Sequence, residues 1–384
     1  MSVNKSTQTI AVRAGIESDT QHGAITPPIY LSSNYSFVEF DQKREFDYSR
    51  SGNPTRQLLG QALADLEGGF CGVVTSTGMS AIFAVLQLLK GGERVIAPHD
   101  CYGGTFRLFK SFADKGAITV DFVDQNDTKA LTAALDKKPR LVWVETPSNP
   151  LLNTVDIQHI CQLSKQQGAL VAVDNTFLSP IFQKPLSLGA DIVVHSTTKF
   201  INGHSDVVGG VVVAKDQAVY EDLAWWANCT GITGGAFDSF LTLRGLRTID
   251  VRLQRHAENA KAIVEFLTEQ DIVEKVYYPG LPEHPGHEIA KKQQSSFGSM
   301  ISFKLKGNIE SIKSLFSALK IFSLAESLGG VESLICHPAT MTHAAMCVED
   351  QEVAGVTANL LRLSVGIENV DDLINDLKQA FAAI

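Results

Sequence analysis

Lys199 stands after the apolar run "DIVVHS" (191 to 196) and the hydroxyls of Ser196, Thr197 and Thr198, just ahead of a turn rich in Gly, His and Asp. Strand ends of this kind are where α/β proteins collect ligands. Partial desolvation lowers a lysine's pKa, and only the neutral amine attacks a carbonyl to form a Schiff base. A second ionisable group, Asp174, closes the run "ALVAVD" (169 to 174). A carboxylate there is costly to bury unless donors or a cation meet it. It either caps its own loop or keeps a heterocyclic nitrogen protonated, as pyridoxal phosphate requires to act as an electron sink.

Two further features share this placement. Thr77, Gly78, Met79 and Ser80 open an apolar helix after the run "GVVTS" (72 to 76). Backbone N–H groups at such a helix start can hold a phosphate, although an ordinary Ser or Thr cap reads the same way. The turn is neither G-x-G-x-x-G nor a P-loop. Tyr102 follows "RVIAP" (94 to 98) and precedes two glycines, which suits a ring exposed over a planar cofactor. A lysine, a carboxylate, a phosphate cradle and an aromatic at the ends of strands in one sheet favour a pyridoxal phosphate site.

The elements that must position these groups are seven β-branched runs. They are the four already named, at 72 to 76, 94 to 98, 169 to 174 and 191 to 196, with "ITVDFV" (118 to 123), "RLVWVET" (140 to 146) and "GGVVVA" (209 to 214). Both faces of these runs are apolar and helical patterns separate them, so a mostly parallel sheet covered on both sides is expected. Residues 1–60, broken by prolines, glycines and polar residues, read as an extended arm; 61–250 as a large α/β domain; and 251–384 as a smaller α+β domain.

Composition narrows the function classes. With 384 residues, 44% of them hydrophobic and 20% charged, the chain has the make-up of a globular enzyme. A formal charge of −9 and the absence of a basic stripe argue against nucleic acid as partner. No run of about 18 apolar residues and no leader pattern occurs, so no membrane partner and a cytoplasmic location are expected. The six cysteines, at 71, 101, 161, 229, 336 and 347, form no C-x-x-C pair, and most are expected to be reduced and structural. No metal is expected, because His195 lies within a strand pattern and His204 with Asp206 lacks a third ligand.

The stretches "DYSRSGNPTR", "TGMSAI", "PHDCYGGTFRLF", "VETPSNPL", "VDNTFLSP", "HSTTKFINGHSDVVGG", "RGLRT", "LAESLGGVESL" and "MTHA" resemble the transsulfuration enzymes of Cys and Met metabolism, from about residue 8 to 380. The resemblance implies fold type I of the pyridoxal-phosphate-dependent transferases, the aspartate-aminotransferase-like α/β fold, built as a homotetramer of two active dimers. It makes Lys199 the cofactor-linked proton carrier, Asp174 the partner of the pyridine nitrogen and Tyr102 the stacking ring. Gly78 and Met79, with the hydroxyls of Ser196 and Thr198, would hold the phosphate, which Tyr48 and Arg50 would reach from the neighbouring subunit. Arg362 would clamp the substrate α-carboxylate, Asn149 would lie near it or the cofactor oxygen, and Glu326 would meet the ammonium of a second amino acid.

Residues 223 to 248 look most like the family members that join an O-acylated homoserine, such as O-succinyl-L-homoserine, to L-cysteine. The same motifs occur in enzymes that cleave cystathionine to cysteine, 2-oxobutanoate and ammonia. A catalytically silent protein on this fold is disfavoured by the intact Lys199, Asp174, Tyr102 and Arg362. Ser51 departs from the pattern: it follows Tyr48, Ser49 and Arg50 where a second arginine can occur.

Overall fold

The computed structural model describes residues 5–344, 351 and 354–384; Cys347 lies outside them. Seven strands form the large sheet: β1 (Cys71–Thr75), β2 (Arg94–Pro98), β3 (Thr119–Val123), β4 (Leu141–Glu145), β5 (Leu170–Asp174), β6 (Ile192–His195) and β7 (Gly210–Ala214). Each agrees with its apolar run to within one residue at either end. The order is β1-β7-β6-β5-β4-β2-β3. Strands β2 to β6 pair in parallel, and β7 runs antiparallel to both β6 and β1.

The period of two along each strand sorts the side chains into two cores. Val142, Val144, Val171, Val173 and Val193 pack into one, while Leu141, Trp143, Ala172, Ile192 and Val194 enter the other. Each fully buried branched aliphatic contributes about 1.5–3 kcal/mol. The sheet is therefore a stiff platform, and its carboxyl edge carries Glu145, Asp174 and the turn that follows His195.

The second sheet has the order β10-β11-β12-β9-β8, from β8 (Val273–Tyr277), β9 (Met300–Leu305), β10 (Ser323–Leu324), β11 (Leu334–Cys336) and β12 (Leu360–Ser364). Leu361 and Leu363 join Ile301, Phe303, Leu373 and Leu377 in its core. Arg362 lies between those leucines and so projects from the opposite face. Ser302, its register partner on β9, donates to the Pro150 carbonyl at 2.6 Å and ties this sheet to the loop after β4.

The first 60 residues are less uniformly extended than their composition suggests. Ser6 caps a short helix, Thr7–Val12, which buries Ala11, and a second helix, Pro54–Glu67, begins with Asn53 as its cap. Between them the chain is irregular and leaves large side chains in solvent, including Leu31 at 75% and Phe40 at 98% exposure. The boundary at residue 250 falls inside the helix Ile249–Thr268. Cys101, Cys161 and Cys336 are buried, whereas Cys229 is exposed, so burial does not account for it. Among the described residues no helix is long and apolar enough to cross a membrane.

Candidate active site

A cavity of about 510 Å³ opens along the carboxyl edge of the large sheet and against β12. Lys199 enters it from the turn after β6, where its amide donates to the Ser196 carbonyl and its carbonyl accepts from Gly203 N at 2.8 Å. The Lys199 ammonium donates to Ser327 Oγ at 2.7 Å. Burial pulls its pKa down to about 8; the Arg362 charge adds to the shift and Glu326 opposes it. At that midpoint roughly a tenth of the amines are neutral at pH 7, against roughly one in three thousand for an ordinary lysine.

Asp174 ends β5 beside Glu145, its register partner on β4. The Thr176 amide donates to Asp174 Oδ1 at 3.0 Å, so the carboxylate does cap its own loop while facing the cavity. Burial raises the Asp174 pKa and the Thr176 hydrogen bonds hold it back. Burial also raises Glu145, well above the carboxylate range, and the neighbouring Asp174 charge raises it further. Two buried carboxyls side by side do not both ionise readily. Of the two, Glu145 is pushed further toward the protonated form.

The Tyr102 amide donates to Glu145 Oε2 at 2.8 Å, which fixes the start of the helix Gly103–Asp114 and leaves the ring 39% exposed in the cavity. At the opposite side, Thr77 caps the helix Gly78–Leu86 by accepting from Ser80 N at 2.9 Å. The first-turn N–H groups of Gly78 and Met79 have no intrahelical acceptor. A Cβ on Gly78 would lie 2.8 Å from Ser196 Cβ, so only glycine lets the β1 and β6 turns meet as a cradle. Thr198 also lines the cavity, but its hydroxyl donates to the Gly209 carbonyl at 3.2 Å. The Gly78 and Met79 amides and the Ser196 hydroxyl have no acceptor among the described residues.

Arg362 is 2% exposed. Its Nη1 donates to Asn149 Oδ1 at 2.8 Å and its Nη2 to the Ser327 carbonyl at 2.9 Å, while its buried Nε has no partner among the described residues. Glu326 lines the same cavity. Tyr48 and Arg50 do not: both lie on the irregular segment, with the Arg50 guanidinium 5.5 Å from the Tyr48 ring centre, and Arg50 faces a separate cleft. His195 is buried with Nε2 2.7 Å from Glu67 Oε1 and belongs to the support beneath the site.

Sequence reasoning missed Glu145, Ser327, Thr176 and Arg107, all of which line the cavity. Glu145 had a readable signal, because it ends "RLVWVE" as Asp174 ends "ALVAVD". Arg107 follows Tyr102 by little more than one helical turn, in the helix that starts beside it.

A desolvated lysine, a strand-end carboxyl, an exposed aromatic and a donor cradle on one sheet edge fit an α/β enzyme built for a phosphorylated heterocyclic aldehyde. The comparisons with known proteins agree. The family model described as Cys/Met metabolism PLP-dependent enzyme matches residues 8–382. Over 376 residues the chain is 57% identical to a cystathionine gamma-synthase of Escherichia coli strain K12, covering 98% of this chain and 97% of that one. It is 47% identical to a cystathionine beta-lyase of Lactococcus lactis subsp. cremoris strain MG1363, with 98% of each covered. The solved structure of cystathionine gamma synthase from Xanthomonas oryzae pv. oryzae in complex with cystathionine superposes with a TM-score of 0.98 at 55% identity, covering 99% of both chains.

The chain therefore belongs to the pyridoxal-phosphate-dependent enzymes of Cys and Met metabolism, and pyridoxal 5'-phosphate is its cofactor. The donor set fits that group. The cradle closed by Gly78 and Ser196 would offer donors to the phosphate, Asp174 would offer a carboxyl facing the cavity, and Lys199 would offer an amine whose pKa burial pulls down to about 8.

Proposed function

We propose that the enzyme catalyses a γ-replacement, joining O-succinyl-L-homoserine or another O-acyl-homoserine to L-cysteine to give L-cystathionine and the free acid. One observation carries this reading: Lys199, Arg362 and Glu326 line a single cavity, so a proton carrier shares it with a cation and an anion suited to two amino acids. The 57% identity to a protein named cystathionine gamma-synthase supports the same choice.

Lys199 would hold the cofactor through its amine, Asp174 would accept from the ring nitrogen, and Tyr102 would cover the ring face. Gly78, Met79 and Ser196 would bind the phosphate, with a lesser part for Thr198. When bound, pyridoxal phosphate supplies an electron sink for charge developing on substrate carbon. Arg362 binds the α-carboxylate as a planar two-pronged donor, and Asn149 keeps that guanidinium aimed. Lys199 Nζ takes the Cα proton, then a Cβ proton, and returns them. Ser327 Oγ steadies the amine between those transfers. Overall the Cγ–O bond to the acyl group breaks, a Cγ–S bond to cysteine forms, and the thiol proton leaves with the carboxylic acid. Glu326 holds the ammonium of the incoming cysteine, away from Arg362.

The same proposal makes each site a shared one. Tyr48 and Arg50 of one copy reach the phosphate of the other, and the exposed Leu31 and Phe40 of the arm are covered in a dimer, two of which form a homotetramer. The division into the arm 1–60, the large domain 61–250 and the C-terminal domain 251–384, and a cytoplasmic location, belong to this reading.

A second reading is favoured by the 47% identity to a protein named cystathionine beta-lyase: cleavage of cystathionine, at Cγ or Cβ, in place of its synthesis. Mass spectrometry of the products separates the two. Purified enzyme given cysteine with O-succinyl- or O-acetyl-homoserine is expected to yield cystathionine and the matching acid. Faster consumption of cystathionine alone, to 2-oxobutanoate or pyruvate, would favour the lyase.

A further inference from the structure

The helix Ile249–Thr268 turns three polar residues inward at i, i+4 and i+7: Arg252, His256 and Asn259, exposed by 5%, 0% and 1%. Such spacing places them on one face, spread over about 10 Å of helix axis. Arg252 Nη1 donates to the Phe200 carbonyl at 2.9 Å, and Nη2 donates to the Ile201 and Gly245 carbonyls at 3.3 and 2.8 Å. Its Nε donates to Thr248 Oγ1 at 3.2 Å, and among the described residues no carboxylate pairs with it. A buried cation without a counter-ion is costly, so these carbonyls must compensate it.

Phe200 and Ile201 directly follow Lys199. The Lys199 carbonyl is already taken by Gly203 N, and the next two carbonyls of the turn are the ones Arg252 caps. Gly203 has φ +72, and a Cβ there would lie 2.0 Å from Arg252 Nη1. The turn and the guanidinium are therefore fitted to each other.

The other two residues grip the strand that carries Arg362. His256 Nδ1 lies 2.6 Å from the Val365 carbonyl, which can only accept, so Nδ1 carries the hydrogen. Burial holds the ring neutral by pulling its pKa to about 4. Asn259 Nδ2 donates to the Gly366 and Glu368 carbonyls at 3.0 and 2.9 Å. Val365 and Gly366 come three and four residues after Arg362. One helix face thus holds the Lys199 turn at one end and the exit of β12 at the other.

We propose that Arg252, His256 and Asn259 are positioning residues that set the separation between Lys199 and Arg362, an inference that rests on the proton-carrier and carboxylate roles given to those two. Loosening one end of the bracket should disturb only the group it holds. Arg252→Lys keeps the charge but cannot reach three carbonyls. It should lower kcat about tenfold with KM for the acyl-homoserine changed by less than about twofold. Asn259→Leu keeps the count and branching of side-chain heavy atoms but removes the donors, and should raise that KM about tenfold with kcat changed by less than about twofold.

A readout without turnover accompanies this split. In cofactor-free protein, borohydride capture of added pyridoxal phosphate at Lys199 should fall several-fold in Arg252→Lys and stay unchanged in Asn259→Leu. Equal effects of both variants on kcat and KM would overturn the proposal, because general loosening does not sort by end. So would an unchanged kinetic profile in either. Were Arg252→Lys insoluble, Asn259→Leu alone decides, an unchanged KM overturning the bracket. Should neither fold, hydrogen exchange in the wild type decides: residues 199–204 and 250–258 should open at one rate, and separate rates overturn it. Capture on another lysine in the wild type would instead overturn the site reading beneath the proposal.

Discussion

Glu145 and Asp174 face each other as register partners at the carboxyl ends of β4 and β5, where burial raises the pKa of both and the Asp174 charge raises Glu145 further. Burial and the Asp174 charge hold the Glu145 pKa well above the carboxylate range. Glu145→Gln, which copies the protonated acid, should leave kcat/KM within about threefold. Asp174→Asn removes the anion and should cost at least about a hundredfold, or about 2.7 kcal/mol. Parallel steady-state kinetics on the two variants check this, and equal losses would put the charge on both carboxyls.

The Lys199 amine titrates at about 8 in the protein without cofactor. Its folded pKa is depressed, so the reactive neutral form is dominant above that value and falls about tenfold per pH unit below it. The rate of pyridoxal phosphate capture at Lys199 should therefore be half-maximal near pH 8. Arg362 pushes this midpoint down and Glu326 pushes it up. Arg362→Met should raise the midpoint and Glu326→Gln should lower it. A wild-type midpoint near that of a solvent-exposed lysine would show that burial does not act as described.

Glu326→Ala tests how the second amino acid is recognised. Losing a charged, sheltered hydrogen bond costs about 1.5–3 kcal/mol. The apparent KM for cysteine should rise and kcat/KM for its addition should fall by that amount. Elimination from the acyl-homoserine without cysteine should change far less, because that half-reaction has no second ammonium. Equal damage to both half-reactions would place Glu326 in the cofactor scaffold.

The lone chain leaves Tyr48 and Arg50 outside its own cavity, and this makes sharing between copies testable. Arg50→Ala should weaken cofactor binding by about 2 kcal/mol, the scale of one charged contact. Mixing inactive Arg50→Ala and Lys199→Ala chains should restore part of the activity, since a hybrid dimer assembles one intact site. No recovery after demonstrated subunit exchange would mean that the arm serves its own chain.

The sheet was legible because its inner strands are apolar on both faces, a pattern few other elements share; the edge strand β3, with Asp121, is the exception. Lys199, Asp174 and Tyr102 were legible for a related reason, since each polar residue interrupts or follows such a run at its carboxyl end. Ser327 was not. Its contact with Lys199 spans 128 residues and depends on how the second sheet packs against the first, which no local pattern encodes. Ser327 also has φ 83, a left-handed conformation that sequence does not announce for serine. Glu145 was legible in its place at the end of "RLVWVE", but its burial beside Asp174 was not, since a glutamate at a strand end ordinarily reads as solvated. The grip of Arg252 on the Lys199 turn joins residues 52 and 51 positions apart and depends on how the helix Ile249–Thr268 packs, which no local pattern encodes.

Every role above depends on Lys199 being the amine that holds the cofactor. Borohydride reduction of the holoenzyme, followed by proteolysis and peptide mass spectrometry, tests this directly. The peptide containing Lys199 should carry the reduced pyridoxyl phosphate mass, and Lys199→Ala should lose both the label and the visible absorbance of bound cofactor. A label on any other lysine in the wild-type protein would contradict the account.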